Sequence, residues 1–216
     1  HQPVGRSGGM ALHESQSLVV EMQACRSPAF IWFLGERLRE AFGDEPALAP
    51  ENLEALYHHV ERGLIRVDAD EATYPLHIIL RWRLERAMVE GELEVADLPD
   101  AWNAGMRELL GVTPPDHATG CLQDIHWPAG AFGYFPSYSL GALLAAQLFK
   151  AAEAAMPELD GRLRRGDFRP LLDWLRTHVH QRARSVSFER LVADATGAPL
   201  GSDAFLAHLD ARYPAR

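Results

Sequence analysis

The stretch Ser139–Met156, SLGALLAAQLFKAAEAAM, is nearly all small or apolar side chains with one lysine. A helix of that composition is apolar around most of its circumference, so it is stable only when other elements surround it. Its eighteen residues are too few and too punctuated to span a bilayer, and Pro157 stops it. The chain must therefore supply a set of partner helices.

Those partners are legible from apolar spacing and punctuation. Leu12, Val19 and Met22 mark a helix from Met10 that Ser27-Pro28 ends. Phe30, Phe33, Leu34, Leu38 and Phe42 form a stripe over Ala29–Phe42, closed by Gly43. Pro50 opens PENLEALYHHVERG and Gly63 ends it. Leu76, Ile79, Leu80, Arg83, Leu84, Ala87 and Met88 predict a helix over Pro75–Glu90, and Asp100 caps another that Gly111 closes. In the tail, FRPLLDWLRTHVHQRA, SFERLVADATG and GSDAFLAHLDARY read as helices, with Ser187 and Asp203 as N-caps and Gly197 as a stop. The expected fold class is all-α, without repeats or a clear linker.

The charge balance narrows the partners. Thirty acidic against twenty-one basic side chains give a net charge of −9, which repels phosphate backbones and anionic membranes. Nucleic acid and membrane are not expected partners. Cys25 and Cys121 stand singly, without CxxC spacing, so no disulfide framework or cysteine metal site is indicated, and a cytoplasmic location is expected.

Three clusters carry chemistry. Glu14, in His13-Glu14-Ser15-Gln16, sits in an apolar helix and must face solvent, pair, or bind a cation. Arg66, in IRVDAD, either grips a carboxylate with two prongs or pairs with Asp68 or Asp70. His126 lies in CLQDIHWPAGAFGYFPSY, where Pro128, Gly130, Gly133 and Pro136 shape a loop between helices. It is either a turn histidine or a catalytic one, and Tyr134 and Tyr138 either pack or donate to an oxyanion. His58-His59 point about 100° apart on a helix, and His178 and His180 face different sides of theirs, so both pairs read as structural or surface residues.

HESQ at His13, IRVDAD at Ile65 and GCLQDIHW at Gly120 stand in the order of three signature blocks of the carboxypeptidase Taq family of zinc metallocarboxypeptidases, which this sequence resembles. The similarity continues through GYFPSYSLGALLAAQLF and LLDWLRTHVH to ATG, over essentially the whole chain. The resemblance implies an all-helical, neurolysin-like zincin fold, whose zinc is held by an HExxH helix and a glutamate on the next helix. It makes Glu14 the third zinc ligand with His13 beside it, and Arg66 a ligand for the C-terminal carboxylate of a peptide substrate. His126 becomes a hydrogen-bond donor to the transition state, with Tyr134 or Tyr138 assisting, and a homodimer is implied.

One departure matters. No HExxH occurs between His1 and Arg216, and His13-Glu14 continues Ser15-Gln16-Ser17, failing at the fifth position. The family carries that motif just before the stretch with which this chain starts. Residues 1–216 are therefore expected to be the C-terminal part of a single catalytic domain, without bound zinc or activity alone. The alternative is a naturally short homologue kept as a non-catalytic binding or dimerisation module.

Overall fold

Among the described residues, proline stands in the first turn of six of the ten α-helices and glycine directly follows three. The structure, a computed structural model, describes residues 2–214 and is all-helical over them. Its chain divides into two compact units, one formed by His1–His59 with Leu140–Arg216 and the other by Val60–Ser139.

In the first unit, α1 (Met10–Leu18) runs into a π-helical turn, Val19–Ala24, and buries Leu12, Leu18, Val19 and Met22. Ser27 then caps α2 (Pro28–Phe42) by accepting from the Phe30 amide at 3.2 Å. The face that α2 buries is Ala29, Ile31 and Gly35 rather than the predicted phenylalanine stripe, and Phe42 is 72% exposed. The reason is close approach: a Cβ on Gly35 would lie 3.2 Å from Pro50 and 3.3 Å from the Leu48 carbonyl, so the smallest residue marks the packed side. The next helix, α3 (Pro50–Tyr57), ends at His58, short of the predicted Gly63.

The second unit is built on α4 (Tyr74–Val89) and α5 (Leu98–Leu110). Leu80, Leu84, Leu98, Trp102, Met106, Leu110 and Cys121 form its core. Gly105 lets the two helices close together, since a Cβ there would sit 2.2 Å from Leu80 Cδ1. Pro99 stands in the first turn of α5, which begins before the predicted Asp100 cap, and Gly111 ends it in the left-handed conformation with φ 71°.

The long apolar helix is α6 (Pro136–Ala155), starting three residues earlier than its composition suggested. It buries Gly141, Ala142, Leu144, Ala145, Ala146, Leu148, Phe149 and Ala152. A short α7 (Leu159–Leu163) was not foreseen. Then come α8 (Arg169–Leu175) with a π-helical turn Arg176–His180, α9 (Phe188–Thr196) and α10 (Asp203–Arg212). Ser187 caps α9 by accepting from Arg190 N at 3.3 Å and Gly197 ends it, whereas Ser202, not Asp203, holds the N-cap position of α10.

Candidate active site

Helix α4 buries an unexpected set of side chains. Besides Tyr74, Ile78, Leu80 and Leu84 it buries His77, Arg81 and Glu85, which follow one another at four-residue spacing and so share one face. Of the residues that marked the helical period, Arg83 is exposed and Ile79 half-buried. A polar stripe can be buried only if its partners come from elsewhere. For Arg81 and Glu85 they come from the loop Cys121–Phe135, whereas neither ring nitrogen of His77 has a hydrogen-bond partner among the described residues.

Asp124 is the centre. Its Oδ1 accepts from Arg66 Nε at 3.0 Å and Nη2 at 2.7 Å, and its Oδ2 accepts from Arg81 Nε at 2.6 Å. Arg66 is 7% exposed and Arg81 fully buried. The partner of Arg66 is thus Asp124, and not Asp68 or Asp70, whose neighbourhood in sequence had suggested a local pair. Asp70 instead accepts from the Ala72 and Thr73 amides at 2.9 Å in the turn before α4. Gln123 ties the same segment down: its Oε1 accepts from the Arg66 amide at 2.9 Å and from Arg81 Nη2 at 2.8 Å, and its Nε2 donates to carbonyls of Leu64, Thr119 and Gly120. The third nitrogen of Arg81, Nη1, donates to the His77 carbonyl at 2.9 Å.

Two guanidinium groups on one carboxylate leave one net positive charge. Burial alone would raise the Asp124 carboxyl, but hydrogen bonds and charge from Arg66 and Arg81 outweigh it and hold it below the ordinary carboxylate range. Burial lowers Arg81 to about 10 in spite of Asp124. The faces of the guanidinium groups are covered by rings: Arg66 lies 4.8 Å over Tyr138 and Arg81 4.6 Å over Trp102.

His126 stands two residues beyond Asp124, and its ring packs on Phe135 at 4.3 Å, Tyr134 at 5.4 Å and Tyr138 at 5.7 Å. Its Nε2 lies 2.9 Å from the Tyr138 hydroxyl, and its Nδ1 3.7 Å from Asp124 Oδ1. Burial, joined by the two arginines, pushes the imidazole below its usual value although Asp124 pulls the other way, so it is neutral near pH 7. Arg66, Val67, Gln123, Asp124, Ile125, His126, Ala129, Ala131, Tyr134 and Tyr138 line a cavity of about 450 Å³. Of the residues predicted for the site, the structure therefore gathers Arg66, His126, Tyr134 and Tyr138 around one cavity. Glu14, half-buried, and His13, exposed, lie on α1 in the other unit.

The backbone at Glu14 is held by a close approach. A Cβ on Gly141 of α6 would fall 2.7 Å from Glu14 Cβ and 3.2 Å from the Ser15 amide. Among the described residues no three His, Cys, Asp or Glu side chains gather to hold a metal ion. A catalytic zinc takes three protein ligands, so the donor set in this chain does not fit one by itself. Gln123, Asp124, Arg81, Glu85 and His77 were given no role from the sequence. Positions 77, 81 and 85 share one face by their four-residue spacing, but the exposed Arg83 and Arg86 stand in the same helix, so polarity alone did not mark the buried set.

Comparison with known proteins identifies the family. A family model described as carboxypeptidase Taq (M32) metallopeptidase matches residues 1–213. The thermostable carboxypeptidase 1 of Thermus thermophilus is 43% identical over 213 residues, covering 99% of this chain and 42% of that protein. Carboxypeptidase 1 of Bacillus subtilis is 39% identical, over 94% of this chain and 41% of that protein. The solved structure of Trypanosoma cruzi metallocarboxypeptidase 1 superposes with a TM-score of 0.95 at 41% identity, covering 99% of this chain and 45% of the other. The chain thus spans less than half the length of the relatives it matches. It belongs to the carboxypeptidase Taq (M32) metallopeptidase family.

Proposed function

We propose that this chain is the C-terminal part of a zinc-dependent metallocarboxypeptidase that removes the last residue of peptides, and that the chain alone is inactive. The observation that carries this reading is the buried Arg66–Asp124–Arg81 cluster, with one net positive charge, whose Arg66 and Asp124 line the same cavity as His126, Tyr134 and Tyr138. Arg66 spends Nε and Nη2 on Asp124, while its Nη1 has no hydrogen-bond partner among the described residues. That nitrogen would take the terminal carboxylate of the substrate, with Asp124 fixing the guanidinium plane beforehand. His126, neutral and oriented by Tyr138, would donate to the carbonyl oxygen as charge develops on it, with Tyr134 or Tyr138 assisting. A neutral donor suits this task because it stays protonated at the donating nitrogen over a wide pH range.

Glu14 would be one zinc ligand, with His13 beside it, in a set that an HExxH segment completes in a longer protein. The metal would supply Lewis-acid chemistry there. Peptides are the proposed substrates, and a cytoplasmic homodimer is the proposed setting. Among the described residues no helix is long and apolar enough to cross a membrane.

The test compares the chain alone with the protein extended by the reading frame upstream of His1. Zinc content by atomic absorption and release of free amino acid from a peptide should be absent in the first and present in the second. Replacing Arg66 by Ala in the extended protein should leave zinc content unchanged and abolish most trimming. Stoichiometric zinc in the chain alone, or unchanged trimming by the Arg66 variant, would contradict the reading.

A further inference from the structure

Glu85 is a carboxylate with 7% of its surface exposed and no cationic side chain paired with it among the described residues. Burying such a group is costly unless its oxygens are hydrogen-bonded. Both are: Oε2 accepts from the Trp127 indole Nε1 at 2.7 Å, and Oε1 accepts from the backbone amide of Gly133. Those two donors sit at opposite ends of one turn. The turn also closes on itself, with the Gly130 amide on the Trp127 carbonyl at 2.9 Å and the Ala131 amide on the His126 carbonyl at 2.8 Å. Gly130 and Gly133 both adopt φ 74°, which glycine takes without strain.

The neighbours of this turn in sequence give the clamp its meaning. His126 immediately precedes Trp127, and Tyr134 immediately follows Gly133. Their rings lie 5.4 Å apart. One carboxylate on α4 therefore holds the Trp127 indole, next to His126, and the Gly133 backbone amide, next to Tyr134. One helical turn earlier on the same face, Arg81 fixes Gln123 and Asp124 on the near side of His126. The loop is thus fastened to α4 on both flanks of His126.

We propose that Glu85 is a positioning residue, which sets the spacing of His126 and Tyr134 by clamping both ends of the turn between them. This rests on the reading that His126 and a tyrosine serve the developing oxyanion. A glutamine at position 85 keeps the volume but puts an amino group where one of the two oxygens stands, so one of the two donors then faces another donor. A residue that only fills space would tolerate that exchange.

The experiment makes Glu85→Gln in the extended protein, with Glu85→Asp and His126→Ala alongside, and reads kcat, KM and zinc content. The Trp127 indole and Gly133 amide resonances are followed in the same proteins by nitrogen-15 NMR. Expected for Glu85→Gln are an upfield shift of one or both resonances and a fall in kcat of roughly 10-fold or more, since displacement by a fraction of an ångström is costly to an aligned site. KM and zinc content should stay within a factor of about 2, which is under 0.5 kcal/mol and marks a loss confined to the transition state. Glu85→Asp keeps the charge but falls one methylene short, so it should restore one resonance at most and only part of kcat. If the resonances shift and kcat holds while His126→Ala is slow, the clamp is structural only and the proposal is overturned. Should His126→Ala also leave kcat unchanged, the oxyanion reading fails and the proposal falls with it. Where Glu85→Gln does not fold, Trp127→Phe removes a single donor and is read the same way: slower kcat with unchanged KM supports the clamp, and unchanged kcat overturns it.

Discussion

Nε2 of His126 lies 2.9 Å from the hydroxyl of Tyr138, while Nδ1 of the same ring is buried without a hydrogen-bond partner among the described residues. One nitrogen is held and the other is not, so the ring's orientation depends on that single hydroxyl and on packing. Tyr138→Phe keeps the packing and removes the hydroxyl. It should lower stability by about 1 kcal/mol, the usual worth of one hydrogen bond, with a change in the His126 imidazole nitrogen shifts. Urea unfolding monitored by tryptophan fluorescence, with NMR on the same sample, checks both.

The Asp124 carboxylate is the only acidic group bonded to the buried Arg66 and Arg81 guanidinium groups among the described residues. Asp124→Asn leaves two buried cations facing each other without their anion. Removing one partner of a buried charge cluster costs about 3–5 kcal/mol, much more than loss of a surface pair. Arg83→Ala, which breaks the exposed pair with Glu108, should cost no more than about 1 kcal/mol. Chemical denaturation of the two variants gives the comparison directly.

His77 is fully buried beside these arginines, and burial followed by the charges of Arg81 and Arg66 lowers it from 6.5 to about 4. Because its value in the folded state is below the ordinary one, the unfolded chain takes up a proton first as pH falls. Its contribution is therefore full above pH 6.5 and is lost progressively down to about pH 4. The loss is on the order of 3 kcal/mol. Asp124 acts in the same direction but below 3.8, outside this window. His77→Leu should flatten the stability profile between pH 4 and 6.5, as measured by thermal unfolding across that range.

Gly141 and Glu14 define a backbone approach that no side chain can enter. A Cβ at 141 would meet Glu14 Cβ at 2.7 Å and the Ser15 amide at 3.2 Å, neither being the movable end of a side chain. Gly141→Ala should cost about 1–3 kcal/mol and displace the Glu14 backbone. Gly130→Ala, with open space around it and only its positive φ to strain it, should cost about 1–2 kcal/mol and leave Glu14 untouched. Thermal denaturation ranks the two, and amide shifts of residues 13–17 separate their causes.

Helix type was readable because punctuation and apolar period agree over long segments. Ser27-Pro28, Gly111, Ser187 and Gly197 each act at the backbone as their chemistry requires. The inner face of α4 was not readable in the same way. Arg81 and Glu85 look like solvent-facing residues until their partners, some forty positions along the chain, are known, and His77 is buried with no hydrogen-bond partner for its ring among the described residues. The phenylalanine stripe of α2 misled for a related reason, since a glycine marks the tightest packing there and carries no hydrophobic signal. His126, Tyr134, Tyr138 and Arg66 were nameable from the motif blocks. Asp124, which fixes Arg66, stood inside one of those blocks, yet its role depends on two arginines that are remote in sequence.

The central claim is that Arg66, fixed by Asp124, serves a free peptide C-terminus in the longer protein. The direct measurement is the rate of amino-acid release from one peptide presented with a free C-terminus and with an amidated one. The account predicts rapid release from the first, little from the second, and collapse of the difference when Arg66 is replaced by Ala. Equal release from both peptides by the unaltered protein would contradict it.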